Sequence, residues 1–313
     1  MLWRGVAVSD RGYMGFVGVT TGSSSIMRIF PAWAEELGLP TRTIIGHDVS
    51  PNAPRDVYRS LVCEIRDDPR HFGALVTTHK MNVFESARDL FDEIDPLATV
   101  FGEVSSIAKR GARLTAAAKD PITVRLAYEE FIDDSYFART GANVLCFGSG
   151  GSGSALVHQL AGRSDRPDRI AITARRQVKL DEVRELVERS GLDGDGIEYV
   201  LAPDPDMAGE LLASLPPGSL VVNSTGMGKD APGSPLGLRA RFPHEAIAWD
   251  FNYRGTLEFV HQAREQQAMG SLRVVDGWRY FIHGWSQVVA DVFDIPMPPE
   301  RVDRLAEIAD GLR

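Results

Sequence analysis

Four apolar residues leading into a run of glycines and serines, Val144-Leu145-Cys146-Phe147-Gly148-Ser149-Gly150-Gly151-Ser152-Gly153, constrain this chain more than any other segment. The apolar tetrad has the length of a buried strand, and a helical pattern follows from Ser154. Gly148, Gly150 and Gly153 fit the spacing G-x-G-x-x-G, in which a strand turns sharply into a helix. The first glycine permits the tight turn, the second a close approach of backbone to a phosphate, and the third close helix–strand packing. The helix start also offers unbonded N–H groups and the positive end of its dipole to an anion. A lone glycine-rich turn is a weak signal. Here a further strand and helix follow in order, as a dinucleotide-binding βαβ unit requires. Gly148, Gly150, Gly151, Ser152 and Gly153 are therefore candidate cofactor contacts.

The second strand of that unit, Arg169 to Thr173, supplies another test. A site for NAD usually carries a carboxylate at this strand's tip, holding the ribose hydroxyls. Here the tip reads Ala174-Arg175-Arg176. Two guanidiniums suit the additional 2′-phosphate of NADP, which they can grip bidentately. A solvated basic turn is the alternative reading. Asp181, a helical turn further on, is not expected to serve as the ribose acid.

At 313 residues the chain is long for one core, so two domains are expected. Short β-branched runs alternate with amphipathic helical stretches, the pattern of an α/β fold with parallel sheets. Strands are expected at 15–20, 41–45 and 73–77, helices at 25–37, 54–67 and 82–90, and a hairpin at 104–117. A helix at 121–131 and a polar link at 133–141 precede the glycine-loop unit. Further strands are expected at 199–202, 220–223 and 246–250. The expected organisation is an N-terminal α/β substrate domain over 1–132, completed by C-terminal helices at 279–313, and a Rossmann-type domain with a parallel sheet over 133–278.

A net charge of −9 argues against nucleic acid or an anionic membrane as partner. Only Cys63 and Cys146 occur, without metal-ligand spacing or a disulfide framework. The opening residues MLWRGVAVSD contain no long apolar run, so a cytoplasmic protein, monomer or homodimer, is expected.

Beyond the glycine loop, the chain resembles the shikimate/quinate dehydrogenase family over nearly its whole length. Residues 18–25 (Gly-Val-Thr-Thr-Gly-Ser-Ser-Ser) resemble its early Ser-x-Ser loop, and Val76-Thr77-Thr78-His79-Lys80 its N-V-T-x-P-x-K segment. Gly102-Glu103-Val104-Ser105-Ser106 is similar to G-A-V-N-T, and Ala118-Lys119-Asp120-Pro121 to N-T-D-G. Val222-Asn223-Ser224-Thr225-Gly226-Met227 resembles N-A-T-x-x-G-M, Asp250-Phe251-Asn252-Tyr253 resembles D-x-x-Y, and Asp276-Gly277 resembles the closing D-G. Each motif alone is weak; together and in order they are not.

The resemblance implies an oxidoreductase moving a hydride between NADP(H) and a hydroxyl or ketone of a polyhydroxylated small molecule. Lys80 and Asp120 fall on the family's catalytic positions, where oxidising a hydroxyl needs a proton acceptor. Ser24, Thr77, Ser105, Tyr253 and Gln287 fall at or near its substrate positions. Asn223, Thr225, Gly226, Met227 and Gly277 fall on its cofactor side. Other readings stand beside these: Lys80 as a surface lysine at a strand–helix junction, and Asp120 as the N-cap of the helix from Pro121. His79 reads as a site group or a solvated loop residue, and His283 shares a helical face with Gln287.

Departures from the family cluster on the substrate side. Ile26 replaces the loop's second serine, Leu75 an asparagine, and Ser105 another asparagine, while one residue is missing before Lys80. Ala118 and Lys119 replace Asn and Thr, and Gly284 stands where the family has glutamine. A site without those amides is expected to lose selectivity for its original ligand. Two other functions fit the plan less well: an NADP-binding sensor with weakened catalysis, and an enzyme like methylenetetrahydrofolate dehydrogenase.

Overall fold

The computed structural model describes residues 12–202, 204–229 and 231–313. The stretch MLWRGVAVSD lies outside them. The chain forms two compact units, Met1–Lys119 with Ile282–Arg313, and Asp120–Phe281.

The first unit opens with β1 (Tyr13–Gly18), α1 (Ile26–Leu37), β2 (Ile44–Asp48), α2 (Arg55–Asp67), β3 (His71–Val76) and α3 (Lys80–Ala87). It continues with β4 (Glu93–Ile94), α4 (Pro96–Phe101) and the hairpin β5 (Ser106–Arg110) and β6 (Arg113–Ala117). The six strands form one mixed sheet in the order β2-β1-β3-β5-β6-β4. β1 pairs in parallel with β2 and β3, while β5 runs antiparallel to both β3 and β6. Every residue of β1 is buried, as expected of a central strand covered on both faces. Its Val17 faces a core with Tyr58, Leu61, Val62 and Ile65 of α2.

The second unit begins with α5 (Asp120–Glu129) and α6 (Tyr136–Thr140), followed by β7 (Val144–Phe147), α7 (Gly151–Ala161), β8 (Ile170–Ala174) and α8 (Gln177–Arg189). Then come β9 (Ile197–Leu201), α9 (Pro205–Ala213), β10 (Leu220–Asn223), β11 (Ile247–Asp250), α10 (Glu258–Gly270) and β12 (Arg273–Val275). The sheet is wholly parallel, in the order β12-β11-β10-β7-β8-β9. Numbered within the unit this is 3-2-1-4-5-6, the doubly wound order of dinucleotide-binding sheets.

Helix α11 (Trp278–Phe293) carries the chain back, and α12 (Pro299–Asp310) ends it. Its return into the first unit is anchored by the fully buried Trp33 of α1, whose indole N–H donates to the Leu305 carbonyl of α12 at 2.8 Å. Losing that indole would cost about 3–5 kcal/mol.

The first boundary falls at 119/120 rather than 132/133. Helix α5 buries Val124, Ala127 and Tyr128 within the second unit, where the Arg163 guanidinium lies 5.3 Å over the Tyr128 ring. The polar stretch read as a link contains α6, whose Tyr136 hydroxyl donates to the Gly218 carbonyl at 2.6 Å. Among the described residues, no helix is long and apolar enough to cross a membrane.

Candidate functional site

The glycine loop follows the fully buried β7. Gly148 has φ +99°, a left-handed conformation that a side chain would strain, and its N–H donates to the Thr173 carbonyl of β8. A Cβ on Gly153 would lie 2.1 Å from the Gly148 carbonyl oxygen, so helix and strand meet too closely for any side chain there. Gly150 differs: a Cβ there would meet nothing within 4 Å. Its bare backbone borders open space, as a phosphate's approach requires. Helix α7 starts at Gly151, three residues before the expected Ser154, so Gly151, Ser152 and Gly153 make its first turn. The N–H groups of a first turn have no acceptor within the helix. The Tyr280 hydroxyl donates to the Ser152 Oγ at 3.1 Å.

A cavity of about 390 Å³ opens over this loop. Gly148, Ser149 and Gly150 line one side, and Arg175, Arg176 and Lys179, past the tip of β8, line another. Ala202, Pro205 and Ala208 give an apolar stretch, and Thr225 and Met227 complete the wall below β10. Phosphate-directed N–H groups, three cations and an apolar slot fit an elongated, anionic ligand with a flat ring. Lys179 escaped the sequence reading. It sits one turn into α8, where helical spacing turns it back toward Arg176, and its ammonium pairs with Glu182 at 2.5 Å. Asp204 also escaped it. This carboxylate lines the cavity from beyond β9 and accepts the Met207 N–H at 3.1 Å, capping α9. Asp181 is held elsewhere, by Gln177 and Arg184.

Six residues read as cofactor contacts do not line the cavity: Gly151, Ser152 and Gly153 in the first turn of α7, and Asn223, Gly226 and Gly277. Asn223 is fully buried: its Nδ2 donates to both Asp250 oxygens at 3.2 Å, and its Oδ1 accepts the Thr225 N–H and hydroxyl. With its amide committed on both sides, Asn223 shapes the Thr225–Met227 turn instead of facing a ligand. Gly226, at φ +75°, supplies a left-handed residue within that turn. Gly277 allows a backbone crossing, since a Cβ would lie 2.1 Å from the Phe251 carbonyl oxygen. Asp250 also accepts the Asn252 N–H at 2.8 Å; burial, reinforced by Asp276, pushes its carboxyl up to about 7. Tyr253 is half-buried, its ring 4.5 Å from that of Phe281 and 5.6 Å from that of Trp278.

In the first unit, Ser24 follows the carboxyl end of β1, and Thr77 and Lys80 follow that of β3, the edge where open α/β sheets bind ligands. Ser24 follows a short 3₁₀ turn, Thr21–Ser23, tethered by Asp48 at the end of β2. The Asp48 carboxylate accepts the Thr21 N–H at 2.8 Å and its hydroxyl at 2.6 Å, bonds that hold the carboxyl below its usual range. Thr77 follows β3, and its N–H and hydroxyl both donate to the Val17 carbonyl. Lys80 is half-buried at the first position of α3, and its carbonyl accepts the Val104 N–H. Gln287 is half-buried on α11, with His283 buried one turn earlier. Asp120, in the second unit, is buried at the first position of α5.

Ser105 and His79 differ from expectation. The Ser105 hydroxyl accepts the Lys119 N–H at 2.6 Å and donates to the Ala117 carbonyl at 3.4 Å. A side chain this short is used up on neighbouring backbone, so Ser105 positions the segment before Asp120 where the family's asparagine would reach outward. His79 is neither solvated nor directed at a site. It is buried with Nε2 2.9 Å from the Val49 carbonyl and Nδ1 3.2 Å from the Tyr58 hydroxyl. A carbonyl only accepts, so Nε2 carries the proton and Nδ1 accepts from Tyr58.

No family model matches the chain. Among curated proteins it is 32% identical over 209 residues to the shikimate dehydrogenase (NADP(+)) of Salinibacter ruber, spanning 64% of this chain and 65% of that one. It is 26% identical over 178 residues to the shikimate dehydrogenase (NADP(+)) of Lactococcus lactis, spanning 56% and 59%. The matched region thus covers less than two thirds of either relative. The solved quinate dehydrogenase from Corynebacterium glutamicum in complex with NAD superposes with a TM-score of 0.74 at 18% identity, over 97% of this chain and 100% of that one. That likeness is one of fold, and it extends over both units. The ordered motifs, the doubly wound second sheet and these relatives together make the chain similar to shikimate dehydrogenases in sequence and to shikimate and quinate dehydrogenases in fold.

Proposed function

We propose that the protein is an NADP-dependent oxidoreductase, transferring a hydride between NADP(H) and a secondary alcohol or ketone of a shikimate-, quinate- or cyclitol-like small molecule. The observation that carries this reading is the cavity in which the glycine loop faces Arg175, Arg176 and Lys179, with no carboxylate at the tip of β8. Guanidinium pairs hold a phosphate bidentately, whereas a ribose 2′-hydroxyl calls for a carboxylate. The NADP in both curated relatives' names agrees.

The glycine-loop N–H groups would hold the pyrophosphate, the three cations the 2′-phosphate, and the Thr225–Met227 turn the nicotinamide half. The nicotinamide ring, when bound, supplies the hydride acceptor or donor. The rest of the chemistry is proton movement, since removing hydride from a carbinol carbon makes its hydroxyl proton acidic. Lys80 and Asp120 take that role in this reading: Lys80 Nζ hydrogen-bonds the reacting oxygen, and the Asp120 carboxylate orients or relays the proton. Ser24, Thr77 and Gln287 would bind the substrate's polar groups, with Tyr253 beside its carboxylate. The amides missing from the family pattern support a substrate other than strict shikimate.

A panel of cyclic polyols and hydroxy acids, followed by NADPH absorbance with Lys80→Ala as control, tests the reading. Turnover with NADP that Lys80→Ala abolishes is expected. NADPH binding with no turnover on any cyclic polyol, and no effect of Lys80→Ala, would favour a binding protein without catalysis.

A further inference from the structure

We propose that Ser224 is a positioning residue of the glycine loop: its hydroxyl ties the Gly148 carbonyl to the tip of β10 and thereby orients the turn that grips the ligand's pyrophosphate. This rests on the NADP reading and adds to it a residue for which the family resemblance predicts no such role. The motif N-A-T-x-x-G-M has alanine where this chain has Ser224, so the hydroxyl is a feature of this chain.

Ser224 directly follows β10, and its backbone N–H donates to the Phe147 carbonyl at 2.8 Å. Its Oγ lies 2.9 Å from the Phe147 carbonyl oxygen and 2.8 Å from that of Gly148. The one hydroxyl proton is thus shared between two carbonyls at the end of β7. The Cys146 sulfur lies 3.5 Å from the same Oγ, and with the hydroxyl proton engaged the thiol is the donor. Cys146 is fully buried, and burial pushes its thiol up to about 12, so that proton stays in place. The hydroxyl also fills the gap between two essential glycines. A Cβ on Gly148 would come within 3.0 Å of this Oγ, and one on Gly153 within 2.7 Å.

The consequence for the ligand follows from peptide planarity. In a trans peptide the carbonyl and the next N–H point in opposite directions, and the described residues contain no cis bond. Tying the Gly148 carbonyl toward β10 turns the Ser149 N–H away from it, on the stretch Gly148–Gly150 that lines the cavity. Without the hydroxyl, the carbonyl keeps only the longer contact from the Cys146 thiol at 3.6 Å, and the peptide gains freedom to rotate.

The test compares two probes on wild type, Ser224→Ala and Ser224→Cys: NADPH, which carries the pyrophosphate, and adenosine 2′-phosphate, which engages only the arginine end. Ser224→Ala is expected to weaken NADPH by about five- to tenfold, the worth of one hydrogen bond to a loop carbonyl. Adenosine 2′-phosphate affinity should not change. Ser224→Cys, which keeps a donor, should recover part of the loss. Unchanged NADPH affinity in Ser224→Ala overturns the proposal alone. An equal loss for both probes overturns it too, because general damage would then explain the result. Wild-type protein that binds neither probe overturns the NADP reading and this proposal with it.

Discussion

Asn223 donates its side-chain N–H groups to both oxygens of Asp250, at 3.2 Å each, between two fully buried strand tips. The same amide accepts from Thr225, so the wall of the cavity below β10 hangs from a buried carboxyl group.

That carboxyl gives a first prediction. Burial raises the Asp250 pKa from 3.8 in the unfolded chain to about 7 in the fold. The protonated form is therefore favoured by folding, and the associated stability is fully present below pH ~4 and lost as pH rises through ~7. Asp250→Asn mimics the protonated carboxyl at every pH. In denaturant unfolding it should match wild type at or below pH ~4 and exceed it increasingly up to pH ~8, with a flatter profile between. Parallel profiles would show that Asp250 ionises as it does in water.

His71 gives the opposite slope. It is buried with Nδ1 accepting the Gly73 N–H at 3.1 Å, and burial, with His47 nearby, lowers its pKa from 6.5 to about 3. The unfolded chain then binds a proton that the fold refuses. The contribution is present above pH ~6.5 and lost as pH falls toward ~3. His71→Asn, whose side-chain oxygen can replace Nδ1 as acceptor, should lose less stability than wild type between pH 7 and pH 5. An acid-denaturation profile as steep as the wild type's would refute this.

The double variant Arg175→Ser, Arg176→Ser addresses cofactor choice. Losing two charge-assisted contacts to a 2′-phosphate should raise the KM for NADP by about 10–100-fold and leave that for NAD nearly unchanged. Lys179→Ala should act in the same direction with a smaller effect, since its ammonium already has Glu182 as partner. Steady-state kinetics with both cofactors decides it. Equal losses for NADP and NAD would place the arginines outside the phosphate contact.

His79 stands beside Lys80 but is bonded inward. His79→Ala leaves the Val49 carbonyl without its imidazole donor and the Tyr58 hydroxyl without its acceptor, so unfolding free energy should fall by about 2–4 kcal/mol. The pH dependence of kcat should stay as in wild type. A shifted pH profile at unchanged stability would return His79 to the chemistry.

Much of the second unit was legible because its signals are local. Strand β7, the turn at Gly148 and the arginine pair lie within some thirty residues of one another, and G-x-G-x-x-G constrains backbone geometry directly. Lys179 and Asp204 were not legible as cavity residues. Their place depends on where α8 starts and on β9 lying beside β8, a pairing no local pattern states. Short elements such as the two-residue β4 or the three-residue β12 exist only because a neighbouring strand supplies their hydrogen bonds.

In the first unit, motif order carried Lys80, Thr77 and Ser24 to one edge of the sheet, yet it could not say which side chains remain available there. Whether a polar group faces a ligand depends on whether nearby backbone has already claimed its hydrogen bonds. The tertiary structure decided that for Ser105, His79 and Asn223, each spent on protein partners. The amino-acid sequence by itself determined the α/β class, the glycine turn and its cationic neighbour, because steric and charge requirements there act between residues close in the chain. Only packing between distant segments decided the boundary at α5, the burial of Asp250 and the hydroxyl of Ser224 beneath Gly148, because hydrogen-bond partners and local dielectric are properties of the folded neighbourhood.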